Sequence, residues 1–210
     1  MATIRFTDAA DGNFAIASPD VSAARSSIDP RPWTWLMQAH GAEVVEVDEP
    51  GGCCGAEADA SISATRGAVL AVQTADCTPV VLWSPEGVVG VVHSGWRGAE
   101  AGVTEAAVQS MRHRGARSVH AVIGPHIHVG AYEFSPADAG LLIERYGRDI
   151  IGETDDATPG LDMKLVVRRA IEAAGAILDT DVDLCTSSSR WWSHRVRRDP
   201  ARQTATVVMS

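Results

Sequence analysis

An α+β domain with mixed β-sheets is the fold the sequence predicts, and three observations predict it. Short runs rich in Val and Leu at 68–73, 79–83 and 88–93 are too short for helices and read as buried strands. Apolar residues recur at helical spacing past residue 98 and again from 163 to 174. Strands and helices mix along the chain without strict alternation. With 210 residues and 45% hydrophobic content, one domain covering 1–210 with a substantial core is expected.

Taken in order, residues 3–6 and 14–18 are candidate strands of an opening hairpin, split by Asp11-Gly12-Asn13, whose types suit a tight turn. The Pro and Ser content between Val21 and Pro32 leaves room for one short helical turn. The segment 33–40 then leads through Gly41 to the alternating strand 43–47. Residues 50–55 form a loop, and Glu57 to Ile62 runs from it into the central strands. The turn Ser84-Pro85-Glu86-Gly87 joins 79–83 to 88–93 as a hairpin, bringing Cys77 and His93 close together.

Val103, Ala106, Ala107 and Met111 predict a helix over 98–113 whose start faces the reactive turns. A strand at 118–123 ends in a loop carrying His126 and His128. Ser135 is read as the cap of a helix through Tyr146, with Pro136 at its first position, and Asp162 as the cap of a helix over 163–174 that Gly175 stops. The last strands are expected at 182–185 and 204–208.

Composition narrows the partners. The formal charge is −9 and no long basic block is present, so a small molecule fits better than nucleic acid. No run approaches the roughly 20 apolar residues of a membrane span, and the first residues lack a signal-peptide core. Four cysteines, two of them adjacent, suit reduced thiols in the cytoplasm better than a disulfide framework.

His40, Cys77 and His93 each lie at a predicted strand end, where the backbone is rigid and the side chain can point into a cleft. Two imidazoles and a thiolate suit zinc, and three ligands leave one tetrahedral position open, as in a catalytic site. Taken singly, the structural reading of each is the stronger, because a lone cysteine in an apolar run is usually a small core residue and a lone histidine is usually satisfied by a backbone carbonyl.

Several segments, in order, resemble the YfiH-like laccase-domain family. They are Gln38-Ala39-His40-Gly41, Thr74-Ala75-Asp76-Cys77-Thr78-Pro79-Val80, His93-Ser94-Gly95-Trp96-Arg97-Gly98, Gly124-Pro125 with Tyr132-Glu133, Leu161-Asp162-Met163-Lys164, and Cys185-Thr186 with Trp192-Ser193-His194-Arg195. The resemblance implies a three-layer mixed-sheet fold shared with cysteine-hydrolase toxins and a metal site of His40, Cys77 and His93. It also implies phosphorolysis of adenosine, inosine, guanosine and methylthioadenosine, with adenosine deamination alongside. The chain departs from the family pattern in three places. A comparable N-terminal loop is missing, His128 replaces paired thiols, and Val196 is inserted in the arginine-rich stretch.

On this reading zinc is the cofactor, and purine nucleoside and phosphate are the partners of a monomer or homodimer. Arg97 is the phosphate candidate, since guanidinium forks and helix N-termini favour oxyanions, or else a surface ion pair; Gly98 opens the same helix. Asp76 accepts a hydrogen bond from a base, orients a metal ligand, or caps its turn. Trp96 stacks on a purine or fills the core beneath the helix. Two other readings stand beside this one. A copper polyphenol oxidase would need a histidine-rich cluster, and the chain has seven histidines in all. A metal-free hydrolase, an amidase of cell-wall precursors, would use Cys77 as nucleophile and His93 as base.

Overall fold

The structure, a computed structural model, describes residues 1–135 and 137–210. Two mixed β-sheets pack face to face, and helices cover the outer face of the larger one. The first sheet orders β1 (Ala2–Phe6), β13 (Gln203–Met209), β6 (Val69–Thr74), β2 (Trp33–Met37) and β4 (Ala56–Glu57). The second orders β12 (Ile177–Asp181), β9 (His120–Ile123), β7 (Thr78–Trp83), β8 (Val89–Ser94), β5 (Ala60–Ser63) and β3 (Val44–Glu46). A separate hairpin joins β10 (Ile151–Glu153) to β11 (Pro159–Leu161). Parallel pairs (β2 with β6 and β4, β9 with β12, β3 with β5) sit among antiparallel ones, so both large sheets are mixed, as predicted.

The layers follow from the period of two along each strand. Val81, Val89 and Val91 meet Leu70, Val72 and Val207 between the sheets. Val80, Leu82 and Val92, pointing the other way, meet α3 (Val103–His113) and α5 (Met163–Ala173) through Val108, Met111, Val167 and Ile171. The first sheet's outer face is partly covered by α1 (Val21–Ile28), whose Ala24 and Ile28 pack on Phe14, Trp33 and Val69. Among the described residues no helix is long and apolar enough to cross a membrane.

Five expectations are corrected. The opening hairpin does not form. Asp8 accepts from the Ala10 N–H while the Asp11 carboxylate accepts from the Asp8 N–H, and this capping box turns the chain aside into a short 3₁₀ segment. The partner of β1 is instead β13, from the other end of the chain. The helix α1 has two turns rather than one, because Pro19, Pro30 and Pro32 flank it without interrupting it.

The helix expected over 98–113 is two. α2 (Trp96–Ala101) ends and α3 begins at Gly102, whose φ of +86° no α-helix continues through. Ser135 does not cap α4 (Gly140–Tyr146). Its carbonyl oxygen accepts from Asp138 and Ala139 in a preceding turn, and Pro136 lies outside the described residues. The late strand is β12, at 177–181, not 182–185. Asp183 takes a φ of +52°, and Cys185 keeps a single isolated bridge to His126. The cap of α5 is as expected, with the Asp162 carboxylate accepting from the Leu165 N–H at 2.9 Å.

Candidate metal centre and its cleft

The chain leaves the first sheet at Thr74 and enters the second at Thr78, so Cys77 sits on the crossing between sheets. The β7/β8 register sets Pro79 opposite His93 and Thr78 opposite Ser94, which brings the Cys77 turn beside His93 and Gly95. His40 reaches the same point from the turn after β2. The ligand atoms of His40, Cys77 and His93 all lie within 4.8 Å of one another, with Cys77 Sγ 3.9 Å from His40 Nε2. Among the described residues this is the one group of three His, Cys, Asp or Glu side chains with metal-binding spacing.

Asp59 organises the group. Its carboxylate is fully buried and accepts from the backbone N–H groups of Ala39 (3.1 Å), His40 (3.0 Å) and Gly41 (2.7 Å) and from His93 Nδ1 (2.7 Å). These bonds hold the His40 turn, with φ at +60°, and by fixing Nδ1 of His93 they leave its Nε2 for a ligand. Burial alone would raise the Asp59 pKa, but the bonds from His93, Gly41 and His40 outweigh it and hold the carboxyl below its usual value. Sequence reasoning missed this residue. The one signal was an acidic side chain directly before a strand that is buried at all four positions.

Burial would likewise raise Cys77, yet the charge of His93 and the hydrogen bonds from His40 and His93 bring it down to about 6. Against the desolvation that would lower it, the Cys77 thiolate and Asp59 raise His93 to about 9. The three side chains form a thiolate facing an imidazolium, with a carboxylate behind. A tetrahedral zinc holds N and S ligands about 3.6 Å apart at its usual bond lengths, close to the 3.9 Å between His40 and Cys77. The donor set and spacing fit zinc. Gly95 sets the clearance, since a Cβ there would lie 2.9 Å from His40 Cδ2 and 3.1 Å from Cys77 Sγ.

A cleft of about 500 Å³ opens over the triad. One wall is the segment 15–17, with Leu36 and Gln38 beside it. Gln38 is not free, because its amide bonds both ways to the backbone of Gln73. His194, Pro200 and Arg202 complete the lining.

The remaining predicted residues lie elsewhere. Asp76, with φ at +101°, points its carboxylate at Thr186 Oγ1, Ser193 Oγ and the Arg195 N–H. It thereby ties the start of α6 (His194–Arg197) to the Cys77 turn. Trp96 borders a different, small cavity beside Cys77 and packs edge-on against Phe134. Exposed Arg97 lays its guanidinium over the Trp96 ring at 4.1 Å, and neither residue lines the cleft. Gly98 is buried in α2, where a Cβ would lie 3.2 Å from the Gly41 carbonyl oxygen. The His126 and His128 rings, 5.1 Å apart, form a separate pair, and buried His126 spends Nδ1 on the Gly124 carbonyl.

Comparison with known proteins adds a family. The model described as multi-copper polyphenol oxidoreductase laccase matches residues 13–210. A protein of Streptomyces coelicolor named purine nucleoside phosphorylase is 34% identical over 197 residues, spanning 91% of this chain and 81% of its own. One of the same name from Streptomyces griseus is 36% identical over 195 residues, or 89% of this chain and 78% of its own. Among solved structures, hypothetical protein YfiH of Bacillus licheniformis superposes with a TM-score of 0.88 at 21% identity, covering 100% of this chain and 93% of that one. YlmD of Geobacillus stearothermophilus gives 0.83 at 23% identity, covering 100% and 91%.

Proposed function

The chain belongs to the multi-copper polyphenol oxidoreductase laccase family, and from that premise we propose that it is a zinc-dependent purine nucleoside phosphorylase. The observation that carries the reading is the cleft floored by His40, Cys77 and His93, in a chain whose relatives bear that enzyme's name. In the reaction an oxygen of phosphate bonds to the ribose C1′ as the glycosidic C–N bond breaks. The base leaves with that bond's electron pair and takes up the proton, giving ribose 1-phosphate and free base.

His40, Cys77 and His93 would hold the zinc, with Asp59 fixing the orientation of His93 and the His40 turn. Zinc in such a three-ligand site supplies a Lewis acid with one open position. The apolar wall at 15–17 gives a nucleoside base a surface to lie on while the sugar faces the triad. Asp76 shapes the turn from behind rather than touching substrate, and Trp96, Arg97 and Gly98 pack the far side of the Cys77 turn. Adenosine, inosine, guanosine and methylthioadenosine are the proposed substrates, and deamination of adenosine is a second reaction at the same cleft. Four free cysteines accord with a cytoplasmic setting.

Copper is the poorer fit. A laccase needs a further histidine-rich cluster, and the described residues offer one three-ligand group. One observation favours a second reading. Asp59, His93 and Cys77 also have the order and charge states of a thiol hydrolase, with Cys77 as a lowered-pKa nucleophile and Asp59 orienting the base. Incubating the protein with each nucleoside, with and without phosphate and with and without a chelator, separates the readings. Free base formed only with phosphate and lost on chelation supports the phosphorylase. Chelator-resistant amide hydrolysis with no nucleoside turnover supports the thiol hydrolase.

A further inference from the structure

We infer that Arg202, which lines the cleft together with His194, is the oxyanion subsite that takes inorganic phosphate. The inference rests on the phosphorylase reading above and names the residues that hold its second substrate.

Charge is the first observation. The chain carries 27 acidic residues and a formal charge of −9, yet among the described residues no carboxylate lines the cleft. The Asp59 carboxylate lies behind the ligands and is wholly buried. Besides the triad, His194 and Arg202 are the basic side chains at the wall. A phosphate dianion entering there meets the Arg202 guanidinium and no carboxylate, in a concave site where solvent screens less than at an open surface. The thiolate of Cys77 is matched by the imidazolium of His93 and is the group that would bind the metal.

The state of Arg202 is the second. Its Nη1 is anchored by the carbonyl oxygens of Asp199 (3.1 Å) and Ala201 (2.8 Å). Among the described residues no carboxylate pairs with it, and its Nε and Nη2 have no hydrogen-bond acceptor. Seven other arginines (Arg31, Arg114, Arg117, Arg145, Arg169, Arg190 and Arg197) are each spent on an acidic partner. The backbone beneath Arg202 is fixed as well, because its N–H donates to Asn13 Oδ1 at 3.1 Å and its carbonyl oxygen accepts from the Phe14 N–H at 2.9 Å. A guanidinium held at one nitrogen and open at two presents a two-point fork, the geometry that oxyanions select.

Position is the third. Arg202 lines the same cleft as the triad, and its backbone is bonded to Asn13 and Phe14, so an anion on its guanidinium would lie in the cavity that the metal ligands floor, next to the wall at 15–17. Arg97, the arginine that the sequence pointed to, lies outside the cleft with its guanidinium on Trp96. The attacking oxygen comes from the phosphate held here, and no further reactant is needed.

The test uses zinc-loaded protein with inosine and inorganic phosphate. Arg202→Gln should raise the phosphate KM by about tenfold to a hundredfold, the loss expected for charge-assisted hydrogen bonds. The inosine KM should change less, and Arg202→Lys should recover part of the loss by restoring the charge without the fork. Calorimetric titration of inorganic phosphate into the same proteins without nucleoside reads binding apart from turnover, and thermal melting checks that each variant folds. Phosphate binding that weakens in Arg202→Gln, in a wild type that does not cleave inosine, would leave the subsite standing and remove the phosphorylase reading. Phosphorolysis with the phosphate KM unchanged in Arg202→Gln, or raised by Arg97→Ala instead, would overturn the subsite and leave the reading intact.

Discussion

Replacing Asp59 by Asn keeps the size of the side chain and removes its charge. Two of its four donors, Ala39 and Gly41, bond one carboxylate oxygen, while His40 and His93 bond the other. An amide can accept at one oxygen only, so in either orientation two N–H groups face an NH₂ in a fully buried place. At about 1.5–3 kcal/mol for each lost bond to a charged group, the metal-free protein should lose roughly 3–6 kcal/mol. That is a large share of the roughly 5–15 kcal/mol typical of a domain. With His93 no longer fixed, zinc affinity should fall about 10- to 100-fold. Urea unfolding of the metal-free proteins measures the first quantity and competition with a colorimetric zinc chelator the second. Because the Asp59 pKa is lowered in the folded state, its contribution is present above the usual carboxylate value and is lost as pH falls through the folded one. The wild type should therefore lose stability on acidification below about pH 4, and Asp59→Asn should lack that part of the slope. A wild-type unfolding midpoint together with wild-type zinc affinity in Asp59→Asn would refute the role given to this residue.

Two further perturbations act on the triad itself. Gly95→Ala places a methyl 2.9 Å from His40 and 3.1 Å from Cys77, so zinc retained through a desalting column should drop well below that of the wild type while the far-ultraviolet spectrum is kept; full retention would contradict the packing. In the metal-free protein, Cys77 held near 6 and His93 near 9 predict that iodoacetamide alkylation of Cys77 rises with pH through about 6; a midpoint near the ordinary ~8.5 would mean that no thiolate–imidazolium pair forms.

What could be read in advance was whatever local pattern dictates. The apolar runs of β6, β7 and β8 and the Pro-Glu-Gly turn between the last two specify a hairpin within a short stretch of chain, and that hairpin alone sets Cys77 near His93. Asp59 escaped notice because its partners lie 18 to 34 positions away and its value comes from burial, which no local pattern reports. The pairing of β1 with β13 joins the two ends of the chain, so the turn residues at 11–13 suggested a nearer partner that the Asp8 capping box rules out. The break at Gly102 was present as a glycine after Ala101, but helical spacing continues on both sides of it and masked the stop. β12 is half exposed and polar, with no apolar run to mark it. Arg202 lies just past the arginine-rich stretch around Val196, and its place on the cleft depends on how the chain there folds back beside Asn13 and Phe14.

The most direct measurement titrates zinc into metal-free protein while ribose 1-phosphate formation from inosine is followed in the presence of phosphate. The account predicts activity that is absent at the start, rises linearly to one equivalent of zinc and then stops, with Cys77→Ala inactive throughout although folded. Full phosphorolysis by the metal-free protein, or by Cys77→Ala, would contradict it.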